Sequence, residues 1–320
     1  MGWRWYIPCS YTMNLELFVL GTSGMMPLPG RSLTSILLRR EGDLLLFDCG
    51  EGTQLSLRRL NLRWKKITAV FVSHTHADHV TGLPGILMLS SQVERDDPLY
   101  IIGPPKIREY VEASRRILDM YINYDIEIIE IAEECVPFRR EGFSVQACRL
   151  LHSKPCFAYS LVEEGRPGIF HPDKAEELGV PRGPMWSRLQ HGEVVTLADG
   201  RRVEPPQVLG PPRKGRKVSY VTDTLPVPRL PQFVSGSDVL ICEGMFTQEF
   251  AESAREKKHL TALDAGRIAR DGAVKSMGLI HYSPRYMNRD LKHLLDEAQT
   301  VFPAAFLTKD LQAIEIALED

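Results

Sequence analysis

Four side chains able to hold a metal ion fall within six consecutive positions, His74-Thr75-His76-Ala77-Asp78-His79, directly after the apolar run Ile67-Thr68-Ala69-Val70-Phe71-Val72. Residues two apart on an extended segment project to the same side, so His74 and His76 can grip one ion. Asp78 and His79 then turn into the next helix and can face a second. Imidazole with carboxylate suits Zn²⁺, and a set without thiolates leaves coordination positions open for water. An ordinary polar strand-to-helix loop is the plainer reading. Three histidines and an aspartate in so short a run weigh against it.

Two ions need more ligands than this motif holds. His152 follows an expected strand at 143–150, Asp223 ends Ser219-Tyr220-Val221-Thr222-Asp223, and His281 ends Met277-Gly278-Leu279-Ile280-His281. Any one of them alone would more often be an ordinary core or surface residue. Their placement at successive strand ends, where α/β folds collect ligands, favours a shared site. The assignment that follows puts His74, His76 and His152 on a first zinc and Asp78, His79 and His281 on a second, with Asp223 bridging. His171, His191 and His293 match no ligand position.

The elements that must position these residues alternate along the chain. Apolar runs predict strands at 15–20, 35–40, 43–47, 67–72, 98–102, 126–131, 143–150, 156–162, 217–222, 238–243 and 276–281. Helical periodicity is clearest at 52–62, 104–121, 262–272 and 288–300. Several strands are almost continuously hydrophobic, as in sheets covered on both faces. The pattern predicts an α/β fold with two sheets sandwiched between helical layers, a single catalytic domain over 13–320. Residues 163–217 read differently, being rich in Pro, Gly and charge, and are expected to form an arm inserted into that domain. Residues 1–12 are expected to be an upstream extension or cloning remnant, with the first strand close behind Met13.

Composition limits the partners. Hydrophobic residues at 43% and charged residues at 25% are those of a globular protein. No apolar run approaches the roughly 20 residues needed to span a bilayer. Six scattered cysteines without a Cys-x-x-Cys pair disfavour a disulfide framework and fit a reducing cytoplasm. A net charge of −2 excludes a protein coated in positive potential, but local clusters decide phosphate binding. Two stand out: Arg58, Arg59, Arg63, Lys65 and Lys66, and Arg213-Lys214-Gly215-Arg216-Lys217. For each, a solvated face and a phosphate contact are equally good readings.

The HxHxDH motif, with His152, Asp223 and His281, resembles the metallo-β-lactamase superfamily. Its surroundings resemble one branch, ribonuclease Z, over residues 14 to 310. The pieces include Phe18-Val19-Leu20-Gly21-Thr22, Leu46-Phe47-Asp48-Cys49-Gly50-Glu51-Gly52-Thr53-Gln54, His79-Val80-Thr81-Gly82-Leu83-Pro84-Gly85 and Ile280-His281-Tyr282-Ser283-Pro284-Arg285-Tyr286. The resemblance implies an αββα sandwich and an endoribonuclease that trims the 3′ trailer of precursor tRNA to leave a 3′-hydroxyl. It implies two Zn²⁺ per subunit, with Mn²⁺ or Mg²⁺ able to serve in vitro, and a cytoplasmic homodimer with no membrane association. An inserted arm carrying a Gly-Pro motif holds the tRNA in this family. Gly183 and Pro184 match that motif, and Arg182, Arg188 and Lys214 are the candidate phosphate contacts beside it. Arg31 and Arg285 are further candidate substrate contacts, in the Pro27–Ser32 loop and the HYSPRY segment.

Three departures accompany the likeness. Cys242-Glu243-Gly244-Met245 stands where the family often has His-Glu-Ala-Thr, keeping only the glutamate. His259-Leu260-Thr261 stands for His-Ser-Thr and keeps the histidine. Pro27-Leu28-Pro29-Gly30-Arg31-Ser32 only loosely matches a Pro-x-Lys-x-Arg-Asn loop linked to discriminating CCA-bearing ends. The implied mechanism is attack of a metal-activated water on the phosphodiester. Asp78 orients that water, and His259, supported by Glu243, serves as general acid. Two other readings stay open. One is a hydrolase of small cyclic nucleotides or of thioesters on the same scaffold, which would need no arm. The other is a zinc-bound RNA-binding protein without catalysis, for which broken ligand positions would be the sign.

Overall fold

Strands that are apolar on both faces need cover on both faces, and this chain provides it with two sheets and two helical layers. The computed structural model describes residues 14–92, 95 and 97–318, so the extension expected at 1–12 lies outside the described residues. The first half runs β1 (Leu15–Gly21), β2 (Ser35–Arg40), β3 (Asp43–Phe47), α1 (Thr53–Arg59), β4 (Ile67–Phe71), α2 (Ala77–Val80), α3 (Leu83–Ser90), β5 (Leu99–Gly103), α4 (Ile107–Ile117) and β6 (Ile126–Glu130). It continues through β7 (Cys135–Arg140), β8 (Phe143–Leu150), β9 (Cys156–Glu163), α5 (Pro172–Glu177), α6 (Pro184–Gln190), β10 (Val195–Thr196) and β11 (Arg202–Val203). The remainder is β12 (Lys217–Val221), α7 (Leu230–Val234), β13 (Val239–Glu243), α8 (Ala251–Lys257), α9 (Ala262–Asp271), β14 (Ser276–Ile280), α10 (Leu291–Gln299), β15 (Ala305–Leu307) and β16 (Ala313–Glu315).

One sheet has the order β16-β1-β2-β3-β4-β5-β6 and the other β15-β14-β13-β12-β9-β8-β7. Each joins an antiparallel part to a parallel one: β3 to β6 run parallel in the first, β12 to β15 in the second. Between the sheets, Phe47 and Phe71 stack with centroids 4.9 Å apart, and Tyr159 and Tyr220 pack against Phe47. Leu57, Leu83, Ile86, Leu87 and Val111 from α1, α3 and α4 close the outer face of the first sheet. Leu230, Ala265, Ala269, Leu294 and Ala298 from α7, α9 and α10 close the second. The αββα layering expected from the sequence is therefore the observed fold.

Some elements were not legible in the residues. β7 contains Pro137 and is mostly exposed, the usual place for proline being an edge strand, and it does sit at a sheet edge. β15 and β16 have three residues each and gain their partners from tertiary contact alone. α3, with the sequence LPGILMLS, is too uniformly apolar to show a helical face. The helix expected over 104–121 is shorter, because Lys106 enters it from a left-handed conformation and Leu118 leaves it.

The stretch after β9 looks poor in regular structure, yet it folds as a small unit with its own core. Ala175, Val180, Leu189, Val195, Val203 and Val208 are buried together, with Phe170 and Trp186 against them. Two antiparallel bridges, Arg166 with Arg213 and Phe170 with Leu209, join its outgoing and returning chains. At its root, Glu163 accepts from Arg40 Nε at 2.8 Å and from Arg216 Nε at 2.7 Å, while Arg216 Nη1 donates to the Ile316 carbonyl at 2.8 Å. Buried charges survive only when paired and hydrogen-bonded, and this triad meets that condition while tying the insertion to both sheets.

Phe71→Ala is expected to lower the unfolding free energy by about 3–5 kcal/mol, because it opens a cavity between the sheets that no neighbour can fill. Equilibrium urea denaturation would measure this; a loss below about 1 kcal/mol would mean the sandwich repacks freely at that position.

Candidate metal centre

The parallel strands deliver their carboxyl ends to one rim, and the seven candidate ligands gather there. His74 and His76 follow β4, Asp78 and His79 lie on α2, His152 follows β8, Asp223 follows β12 and His281 follows β14. Asp223 and His281 adopt left-handed backbone, with φ of 44° and 61°, and so does Asp48 at the end of β3, with φ of 54°. Such conformations cost non-glycine residues energy and persist only where the surroundings hold them, commonly at functional sites.

The ligand atoms divide into two groups about one carboxylate. His76 Nδ1 lies 2.8 Å from His74 Nε2 and 3.2 Å from His152 Nε2. Asp223 Oδ2 lies 3.6 Å from both His74 Nε2 and His152 Nε2. On the other side, Asp223 Oδ1 lies 3.4 Å from His79 Nε2 and 3.3 Å from His281 Nε2. Asp78 Oδ2 lies 3.6 Å from His79 Nε2 and 3.4 Å from His281 Nε2. Donors placed ~2.0–2.1 Å from a tetrahedral zinc ion are roughly 3.3 Å from one another, so both groups have the spread such an ion requires.

The protonation chemistry points the same way. His79 Nδ1 lies 2.7 Å from Asp48 Oδ2, so its other nitrogen is the free one, and Nε2 is buried without a hydrogen-bond partner. Burial opposes a charge on His79, but Asp223, Asp48 and Asp78 outweigh it and push its pKa well above the ordinary value. That position calls for a cation, either a proton or a metal. Burial raises the cost of ionising Asp223, yet the imidazoles of His281, His79, His74 and His259 hold its pKa well below the usual range. Burial pushes His74 well down and His76 and His152 down as well, which favours the imidazole form that donates an electron pair to a metal.

A layer of hydrogen bonds fixes the orientation of these rings. Asp48 Oδ2 accepts from Ser73 Oγ at 2.8 Å and from Tyr220 OH at 2.7 Å in addition to His79, and Asp48 Oδ1 accepts from the Ser73 amide at 2.7 Å. Ser73 Oγ, having given its proton to Asp48, can accept from His74 Nδ1 at 3.0 Å. His152 Nδ1 is held by the Lys258 carbonyl at 3.0 Å. The Met25 amide donates to Asp78 Oδ2 at 2.8 Å. Gly24 is needed because a β-carbon there would stand 2.7 Å from the His281 ring. None of Asp48, Ser73, Tyr220, Lys258 or Gly24 was picked out from the sequence as a site residue. Asp48 had a readable signal, an acid closing an apolar strand in the Asp-Cys-Gly-Glu-Gly-Thr run.

His259 and Glu243 pair beside the second group: His259 Nδ1 lies 3.8 Å from Asp223 Oδ2 and His281 Nδ1 lies 3.8 Å from Glu243 Oε2, so these four residues make a third set that could hold a metal. His259 Nδ1 donates to Glu243 Oε2 at 2.9 Å, and Glu243 Oε1 accepts from the Thr224 amide at 2.7 Å. The His259 ring stacks on that of His281 at 5.6 Å. Burial works against its charge, but Glu243 and Asp223 prevail and hold its pKa at about 9. Cations beside Asp223 would draw that value down again.

The expected substrate contacts are less uniform. Arg31 faces inward: it is 5% exposed, and its Nη2 donates to the Tyr286 carbonyl at 2.6 Å. It braces the 22–34 loop and offers no surface to a phosphate, which corrects the reading of it as a substrate contact. Arg285 is exposed and lies over the Phe250 ring at 4.1 Å. Arg182 and Arg188 are exposed in the insertion but engaged by Glu176 and Glu193 respectively. Gly183, with φ of 131° in open space, leads into α6 at Pro184, both on the surface. In the second basic cluster only Lys214 stays exposed, since Arg216 is buried on Glu163 and Lys217 Nζ donates to the Phe233 carbonyl.

Comparison with known proteins adds the following. The sequence profile of a family described as anti-Pycsar protein Apyc1 matches residues 15–165, ending where the insertion begins. Ribonuclease Z of Treponema denticola is 59% identical over 308 residues, covering 96% of this chain and all of that protein. Ribonuclease Z of Borrelia hermsii is 42% identical over 306 residues, covering 93% and 96%. Among solved structures, the short form of human tRNase Z aligns with a TM-score of 0.69 at 24% identity, covering 95% of this chain and 100% of that one. YhfI of Bacillus subtilis, a metallo-β-lactamase fold protein, aligns at 0.66 and 19%, covering 94% and 99%. At these identities the structural likenesses speak for the fold.

Asp48→Asn keeps the size of the side chain but turns an NH2 either to the three side-chain donors that meet Oδ2 or to the Ser73 amide that meets Oδ1. Metal affinity, read by competition with a chromophoric chelator, is expected to fall about 10–100-fold with little change in fold. Unchanged affinity would remove Asp48 from the support of His79.

Proposed function

The chain belongs to the ribonuclease Z family and is a metal-dependent endoribonuclease, and on that premise we propose that it removes the 3′ trailer of precursor tRNA using two zinc ions. The observation that carries the two-ion reading is Asp223, which turns one carboxylate oxygen to each ligand group. His74, His76 and His152 would hold one ion with Asp223 Oδ2; Asp78, His79 and His281 would hold the other with Asp223 Oδ1. When bound, such a pair supplies a water that is acidic near neutral pH and positive charge for the scissile phosphate.

The chain's own residues do the rest. Asp78, fixed by the Met25 amide, orients the attacking water. Attack at phosphorus breaks the bond to the 3′ oxygen of the upstream nucleotide. His259 donates its Nε2 proton to that departing oxygen, with Glu243 holding the ring by Nδ1 so that Nε2 faces the substrate. The insertion, 164–216, grips the body of the tRNA through the exposed Gly183-Pro184 turn and the cations Arg182, Arg188 and Lys214. Arg285 lies at the rim and contacts the RNA backbone. The enzyme works as a cytoplasmic homodimer. The described cysteines, all unpaired, fit a reducing compartment, and no helix among the described residues is long and apolar enough to cross a membrane. A hydrolase of small cyclic nucleotides would use the same ligand groups but has no need of the insertion.

Purified protein supplied with zinc should cut a precursor tRNA once, near the discriminator nucleotide, and release a 3′-hydroxyl; no cut in precursor tRNA alongside rapid hydrolysis of a cyclic nucleotide would sink the reading. His74→Ala should abolish cleavage. His259→Ala should retain its metal while slowing turnover by about 10²–10⁴-fold. The protonated form of His259 is present below its pKa and lost above it, so the basic limb of the kcat–pH profile should vanish in that variant. Deleting residues 168–214 should weaken tRNA binding sharply and spare hydrolysis of bis(p-nitrophenyl) phosphate. Equal loss of both would deny the insertion its role.

A further inference from the structure

The segment from α1 to β4 carries a group of cations that have no ion-pair partner among the described residues. No Asp or Glu occurs between Glu51 and Asp78, a stretch that holds Arg58, Arg59, Arg63, Lys65 and Lys66. The fold sorts these residues: Leu57 and Leu62 are buried under the first sheet, while Arg58, Arg59, Arg63 and Lys66 are exposed. Among the described residues none of those four is in an ion pair. Elsewhere exposed arginines commonly sit on an acid, as Arg149 does on Glu133 at 3.2 Å, Arg188 on Glu193 at 2.8 Å and Arg201 on Asp199 at 2.7 Å. Asp43, across the β3–β4 pairing from this segment, accepts from the Thr68 hydroxyl at 3.0 Å. In a chain of net charge −2, four solvent-facing cations with no ion-pair partner among the described residues form a local positive field.

Their position gives that field a direction. α1 begins beside the metal centre, since the Cys49 amide donates to the His79 carbonyl at 2.8 Å and the Gly82 amide to the Cys49 carbonyl at 2.8 Å. α1 has seven residues, so its last turn, with Arg58 and Arg59, lies roughly 10 Å beyond that contact. We propose that Arg58, Arg59, Arg63 and Lys66 form a second docking surface, on the catalytic body and separate from the insertion, that binds the phosphate backbone of duplex RNA entering the metal centre by its end. This rests on the tRNA reading above and adds a second hold to it. Arg58 and Arg59 in the last turn of α1, with Arg63 and Lys66 in the segment that follows, offer several cations to a phosphate backbone, and such contacts position an RNA without reading its sequence.

The test compares the wild-type protein with an Arg58→Glu, Arg59→Glu, Arg63→Glu variant and with the matching triple alanine variant, using one precursor tRNA across a range of KCl concentrations. KM should rise about tenfold or more in the charge-reversed variant, and the slope of log affinity against log salt should flatten by about one for each phosphate no longer engaged. kcat at saturating RNA should stay within about twofold, because the patch holds the body of the RNA and not the reacting atoms. The alanine variant should lie between the two. Wild-type KM and salt slope in both variants would overturn the proposal. So would a change in sedimentation mass with KM unaffected, which would mark the patch as a contact between protein chains. If wild-type protein cut no precursor tRNA, the functional reading would fail first. Filter binding of a plain RNA duplex to the same proteins would then decide the patch by itself, with equal retention by wild type and the charge-reversed variant counting against it.

Discussion

A single buried carboxylate with imidazoles on both sides sets the terms for the rest of this molecule. Asp223 is almost fully enclosed, and each of its oxygens faces two ring nitrogens of a different ligand group. Buried anions are costly unless matched by positive charge, and the imidazoles around Asp223 hold its pKa well below the usual range. The same ligand groups would suit metal cations. The two-sheet frame serves to bring strand ends from both halves of the chain to the place where those cations would sit.

If seven candidate ligands are to surround two ions, their side chains must be aimed, and the aim comes from atoms one layer back. Asp48 is the hub: it fixes His79 directly and His74 through Ser73, and Tyr220 reaches it from the opposite sheet. The bond from Tyr220 joins β12 to β3, so packing of the sandwich and orientation of the metal ligands are not independent. The left-handed turns at Asp48, Asp223 and His281 serve the same end. Each bends the chain sharply off a buried strand, and each is held there by the contacts that make it useful.

The insertion is attached without interrupting the frame. It leaves and rejoins the sheet at adjacent strands, β9 and β12, so the frame keeps its hydrogen bonding across the gap. Its own small core and the Arg40–Glu163–Arg216 cluster at its root give it a defined attachment. Exposed charge on the insertion and on the α1 face would then meet an extended polyanion at two places.

Residue type and spacing alone pointed to metal chemistry. An HxHxDH run after a buried strand, with His152, Asp223 and His281 at later strand ends, can be read in one dimension because metal ligands are scarce and their identity limits what they can bind. Alternating apolar runs likewise fixed the layered α/β frame, since burial on both faces leaves few arrangements. Tertiary structure decided what depends on neighbours distant in sequence. It placed Asp48 behind His79, turned Arg31 inward, gave β15 and β16 their strand partners, and separated Arg216 and Lys217, which brace the fold, from Arg58, Arg59, Arg63 and Lys66, which face solvent. A carboxylate or guanidinium looks the same in sequence whether it is structural or free. Only the groups packed around it decide which it is.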